Sequence, residues 1–372
     1  MIRDNKVSLL FGDIHPNPYV KAFKEEARDE QVNKLMKSDL EHVCIYPTPA
    51  HLKKTVNKKD YSDRPFTLKL AMGEPQLSFY SFDLSVLDFY HNEPRYTYWS
   101  NDIPGMICYK TEDMEESDKV LLESFGFSYG TDMERAVAVF LIYLSRLSPE
   151  HQQIWNAKLK KEKYQLHPGY YQSSILGEWP EKVLIFDAFV EELHHINEMC
   201  KIIGRPRLFI KEYQEDKKPK DFCFILRLTL KKYNEYVNLL DKMISQNINR
   251  DFFLNDIPSE TEIKRKNGKV RVQQKGTIQL LDEWLKIKFR TDDRKPIEDM
   301  ISTFKHIRRL RQNPAHRIQE DVFDQKYFKL YRALIIKAYS GIRLIRLMLA
   351  NHPKLKDYKI REWLFYGKIW DY

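Results

Sequence analysis

Arg311 and His316 are the two side chains of this sequence best placed to do chemistry together. They stand in the run Ile307-Arg308-Arg309-Leu310-Arg311-Gln312-Asn313-Pro314-Ala315-His316. A guanidinium can hold or neutralise a phosphate through its fork of N–H donors, and an imidazole can move a proton near neutral pH. An Arg and a His facing one cleft are a minimal kit for cleaving RNA without a metal. Two helices have to position them. An apolar-periodic helix precedes Pro314, which breaks it. A second follows, with Tyr327, Phe328, Tyr331, Leu334, Ile335, Ala338, Ile342, Ile345 and Leu349 in an i, i+3, i+4 stripe that Asn351-His352-Pro353 ends. Arg311 and His316 therefore belong to a helix boundary.

These residues resemble the marker of the HEPN domain, a small helical bundle marked by Arg, a polar residue, a few variable positions and then His. Arg311-Gln312-Asn313-Pro314-Ala315-His316 would be that marker here, and residues 276–372 would be the domain. Gln312 departs from the Asn, Asp or His often found after the Arg, but it keeps a polar group there. Arg309 paired with His316 is a second legal reading of the motif. The resemblance implies a metal-independent endoribonuclease, with two chains pairing so that both motifs line one cleft. Such proteins are commonly toxins or effectors in antiviral or abortive-infection defence.

In that reading His316 is general base or acid on the ribose 2′-hydroxyl or the 5′ leaving oxygen. Arg311, with Arg308 or Arg309, stabilises the crowded phosphorane, and the products carry 2′,3′-cyclic phosphate ends. Gln312 and Asn313 support the pair, and Tyr327 stacks a base or touches a phosphate. His306, one turn before the arginines, is a further proton-transfer candidate. The implied partners are RNA (tRNA among the candidates), a second copy of the chain through its C-terminal helices, and a regulatory or antitoxin protein.

The rest of the sequence bounds this reading. With 372 residues the chain has room for two or three cores, and 42% apolar with 31% charged residues suits a globular protein. No apolar run reaches the length of a membrane span, and Met1-Ile2-Arg3-Asp4-Asn5-Lys6 lacks a signal-peptide pattern. Cys44, Cys108, Cys200 and Cys223 lie far apart without metal-ligand spacing. A cytoplasmic protein with reduced thiols, no metal and no cofactor is expected. The net charge of +9 leans toward polyanionic partners.

The fold class expected is α+β: a mixed α/β region over 1–275, then an all-α HEPN-like bundle over 276–372. Within the first part, 66–129 reads as β-rich. Leu77–Phe82, Val86–Tyr90 and Tyr96–Trp99 form an antiparallel meander, and Val120–Tyr129 adds a strand. Residues 131–250 read as helical, with helices over Asp132–Leu147, ended by Pro149, and over Glu181–Ile203. Val20–Leu40 reads as a charged helix. A basic hairpin spans 261–273 around Asn267-Gly268. Its Lys264, Arg265, Lys266, Lys269 and Arg271 make it the candidate RNA-contacting arm, against the plainer reading of a solvated ribbon whose lysines protect an edge.

Two further groupings carry less. Phe11-Gly12-Asp13-Ile14-His15 is similar to the opening metal motif of calcineurin-like phosphoesterases, but the later ligand blocks are missing. Glu191-Glu192-Leu193-His194-His195 has the i, i+3 carboxylate–histidine spacing of metal sites in helical bundles, but no matching second helix, so a solvated helix face is expected. The alternative function is a nucleic-acid-binding or assembly protein whose helices dimerise without catalysing anything.

Overall fold

The computed structural model describes residues 49–178, 180–213, 217–264, 270–312 and 322–372, together with two short strands near the start of the chain. The class is α+β, as expected. The chain divides into two compact units, Met1–Trp179 and Pro180–Tyr372. Among the described residues no helix is long and apolar enough to cross a membrane.

In the first unit β1 (Lys6–Leu9) pairs antiparallel with β2 (Phe23–Ala27). The helix expected over Val20–Leu40 is thus replaced at Phe23–Ala27 by a strand, which pairs along one edge with β1. Short helices α1 (Pro49–Thr55) and α2 (Pro65–Ala71) follow. The centre is an antiparallel sheet of β3 (Phe79–Phe82), β4 (Tyr96–Ser100), β5 (Gly105–Tyr109), β6 (Leu121–Tyr129), β7 (Arg135–Phe140) and β8 (Gln165–Leu166). Its order is β3-β7-β6-β5-β4, with β8 paired to β6.

Two segments exchange their expected types. Val86–Tyr90 lies in a helix, α3 (Ser85–Asn92), not a strand: Val86, Leu87 and Tyr90 are buried on one helical face. Asp83 accepts from the Ser85 backbone N–H at 3.0 Å and closes the first turn. Conversely, the helix expected over Asp132–Leu147 is replaced at Arg135–Phe140 by β7, and only the single turn α4 (Leu141–Leu144) is helical. All six residues of β7 are buried between β3 and β6. A strand covered on both faces loses the alternation that distinguishes it from a buried helix.

Pro149 does not end a helix but begins one, α5 (Pro149–Ala157), with Ser148 as its cap. The small helix α6 (Pro168–Tyr171) completes the unit. Trp155, Tyr90 and His151 form a buried polar-aromatic knot: Trp155 Nε1 donates to the Tyr90 hydroxyl at 3.0 Å, which lies 2.8 Å from His151 Nδ1.

The second unit is helical. After β9 (Val183–Leu184) come α7 (Ile185–Ile202) and α8 (Leu230–Met243). The hairpin strands β10 (Glu260–Lys264) and β11 (Val270–Gln274) pair antiparallel as expected, and the turn residues 265–269 lie outside the described residues. Then follow α9 (Thr277–Lys288), α10 (Lys295–Gln312), α11 (Lys326–Ala350), α12 (Glu362–Phe365) and β12 (Ile369–Trp370), which pairs parallel with β9. Between α7 and α8, Phe222 to Leu228 forms neither strand nor helix but buries Phe222 and Phe224 in the core.

The 25-residue α11 is the spine, packed along α7 on one side and α10 on another, while α10 also packs on α8. Its expected stripe is buried from Phe328 to Leu349, with Tyr327 half-buried at its edge. Gly341 lets α10 approach closely: a Cβ there would stand 3.0 Å from Met300 and Phe304 side-chain atoms. The boundary expected near Gly276 falls inside this unit, whose core joins α7 and α8 to α10 and α11.

Candidate functional site

Helix α10 carries Arg311 to the site. Ile297, Met300, Ile301, Phe304 and Ile307 are its buried stripe. Arg309 and Arg311 occupy the last turn, where cations complement the helix dipole. Arg311 turns inward: its Nη1 lies 2.7 Å from Oδ2 of Asp241, near the end of α8. Asp241 has no exposed side-chain surface, whereas the Arg311 side chain keeps 35% of its own. The Ser245 hydroxyl donates to the same carboxylate. The Gln246 amide lies against the guanidinium, its oxygen accepting from Arg311 once the amide is oriented to satisfy both groups. Arg311 is thus a pinned, partly exposed cation at the junction of α8 and α10.

The other motif residues fall differently. Gln312 and Arg309 are exposed and Arg308 is half-buried on the same helix end. Arg309 Nε donates to the Lys305 carbonyl at 3.4 Å, folding back along the helix. His306 is exposed. Tyr327 at the start of α11 sets its ring 5.9 Å from that of Tyr233 on α8. Tyr331 is buried and donates to the Cys223 carbonyl, so it serves the core. His316 and Asn313 lie outside the described residues, as do Arg265, Lys266 and Lys269 of the hairpin and Asp13 and His15 near the start. Lys264 closes β10 and Arg271 lies in β11.

The group on α7 is not the solvated face expected. Glu191, Glu192 and His195 are buried, and only His194 stays partly open. Glu192 accepts from Arg346 of α11, Nη2 lying 3.2 Å from Oε1, in a pair buried on both sides. Burial pushes the Glu192 carboxyl above its ordinary range, and Arg346 opposes that. His195 Nδ1 lies 2.7 Å from the Tyr358 hydroxyl and its Nε2 3.3 Å from Glu191. Arg361 adds a contact to Glu191 at 2.9 Å. His195 and Arg361 hold the Glu191 carboxyl below the usual range, while burial pushes the Tyr358 phenol up to about 12. These groups tie the C-terminal segment to α7. Among the described residues no three His, Cys, Asp or Glu side chains are grouped to hold a metal ion.

Asp241 is the residue sequence reading missed. Its signal was available: it follows Val237 by one helical turn on the buried face of Tyr233, Tyr236, Val237 and Leu240, where a lone carboxylate requires a partner. No family model, curated protein or solved structure matches the chain.

Proposed function

We propose that the second unit is a metal-independent endoribonuclease of the HEPN type, with Arg311 and His316 as its reacting pair. The observation that carries this reading is the placement of Arg311. A buried carboxylate holds the guanidinium of Arg311, whose side chain keeps 35% of its surface, in the last turn of the helix that precedes His316 in the sequence. A pre-positioned cation of this kind stabilises charge that develops on a phosphate without reorganising during the reaction.

In the proposed reaction His316 takes the proton of a ribose 2′-hydroxyl, whose oxygen attacks the adjacent phosphorus. Arg311 neutralises the phosphorane, and the 5′-oxygen of the next nucleotide leaves with a proton. The products are a 2′,3′-cyclic phosphate and a 5′-hydroxyl. One motif per chain implies a homodimer as the active form. Cytoplasmic action as a toxin or effector in antiviral defence, under a restraining partner, belongs to the same proposal. The test is cleavage of tRNA and single-stranded RNA by the purified chain in EDTA beside His316→Ala.

The same ion pair favours a second reading. Asp241 already compensates Arg311, so the arginine has a structural task without any RNA. The chain would then bind nucleic acid without turnover, through its net charge of +9 and the hairpin of Lys264, Arg265, Lys266, Lys269 and Arg271. Binding unaffected by His316→Ala but weakened by charge reversal at Lys264, Arg265 and Lys266, with no cleavage by either protein, would establish it.

A further inference from the structure

The segment after α11 carries an aromatic pair that the fold leaves in water. Phe365 and Tyr366 are 66% and 65% exposed. Their rings meet edge to face, centroids 5.2 Å apart and planes at 89°. The backbone beneath them is fixed. Phe365 and Tyr366 donate to the Arg361 and Glu362 carbonyls at 3.0 Å each, and Lys368 closes back on the Trp363 carbonyl at 2.8 Å. Gly367 takes φ +66°, the left-handed position that ends such a turn. Leu364 and Trp370 are buried on either side. The rings are therefore presented by an anchored turn.

The segment that carries them is basic. Lys354, Lys356, Lys359 and Arg361 are exposed, against Asp357 and Glu362 as the acidic residues of 354–368. Arg343 of α11 reaches the same place: its Nη1 lies 4.0 Å from where a Cβ on Gly367 would stand. Its Nε is buried with no hydrogen-bond partner among the described residues. Arg361 and Lys368 are engaged with Glu191 and Glu181. The cations for an external anion are therefore Arg343, whose charge also acts on Glu192, and the exposed Lys354, Lys356 and Lys359.

The geometry points to a binding site for single-stranded nucleic acid, in which a base stacks on Phe365 or Tyr366 while Arg343 and the exposed lysines of the segment take the flanking phosphates. Aromatic faces beside cations, without a rim of polar groups for base-edge readout, are how proteins hold single strands irrespective of sequence. A protein partner fits less well, because interface cores are depleted of charge and the segment that carries both rings has exposed Lys354, Lys356, Lys359 and Arg361. That the strand is RNA rests on the nuclease reading; the stacking surface itself does not.

The test uses the full chain and a fluorescent 2′-O-methyl oligouridine, which cannot be cut through its 2′-oxygen, read by anisotropy. Phe365→Ala/Tyr366→Ala should weaken binding by about tenfold or more, and Tyr366→Phe should not. Arg343→Gln should reduce the salt dependence by roughly one phosphate contact. Unchanged affinity in the double variant overturns the site. So does a double variant that loses self-association in sedimentation while keeping its affinity, which would make the patch an interface between copies. Because the ligand is inert, a wild-type chain that binds it but cuts no RNA would sink the nuclease reading and leave this site standing.

Discussion

Replacing Arg311 by Met isolates what Asp241 does for the fold. The pair is asymmetric: the carboxylate is fully buried, and the guanidinium keeps 35% of its surface. Unit charges about 4 Å apart attract by roughly 4 kcal/mol at an effective dielectric of 20, before desolvation is subtracted. Breaking a fully buried pair from one side costs about 3–5 kcal/mol because the remaining charge is stranded. Here water can follow the missing side chain to the carboxylate, so the expected loss is smaller, about 2 kcal/mol. With a urea slope of about 2 kcal/mol per molar, the midpoint of the second unit should fall by roughly 1 M. Urea titration of the full chain, followed by far-ultraviolet circular dichroism, measures it. Asp241→Asn/Arg311→Met should recover part of the loss, since the stranded charge is gone. A single variant as stable as wild type, or a double variant no better than the single, would refute the claim that Asp241 pins Arg311.

Other outcomes follow from the same geometry. Arg346→Met should cost more than Arg311→Met, about 3–5 kcal/mol, because Glu192 is left buried with no route to water, and Glu192→Met/Arg346→Met should restore most of it. Burial already raises the Glu192 carboxyl, and losing Arg346 raises it further. Since the folded state then binds the extra proton, the Arg346→Met deficit should shrink as pH falls from neutral and grow as pH rises through the raised value. His151 runs the other way. Burial lowers it below 6.5, so the unfolded chain takes the proton first and the first unit should lose stability as pH falls through that value, a dependence that His151→Gln removes in pH-resolved melts. Gly126→Ala would place a Cβ 2.2 Å from the Tyr170 ring and should cost about 1–3 kcal/mol by thermal unfolding.

Legibility in the sequence followed how local the physics was. The long C-terminal helix was readable because a stripe from Phe328 to Leu349 repeats the helical period, and the hairpin strands because Asn267-Gly268 separates two β-prone runs. Arg135–Phe140 was not, because a strand buried on both faces shows no alternation. Ser85–Asn92 was misread because its aromatic residues suit a strand, whereas its buried positions Val86, Leu87 and Tyr90 follow the helix. At the site, Arg311 was nominated by residue type. The Asp241 that holds it lies 70 positions away, beyond the reach of any motif. Burial of Glu192 and His195 was likewise invisible, since it depends on Arg346 and Tyr358, far along the chain.

Cleavage by purified protein of tRNA and a generic single-stranded RNA in EDTA, beside His316→Ala, tests the central claim most directly. The account predicts fragments ending in 2′,3′-cyclic phosphate from the wild-type chain and none from the variant, with both proteins equally folded. Full cleavage by His316→Ala would contradict it.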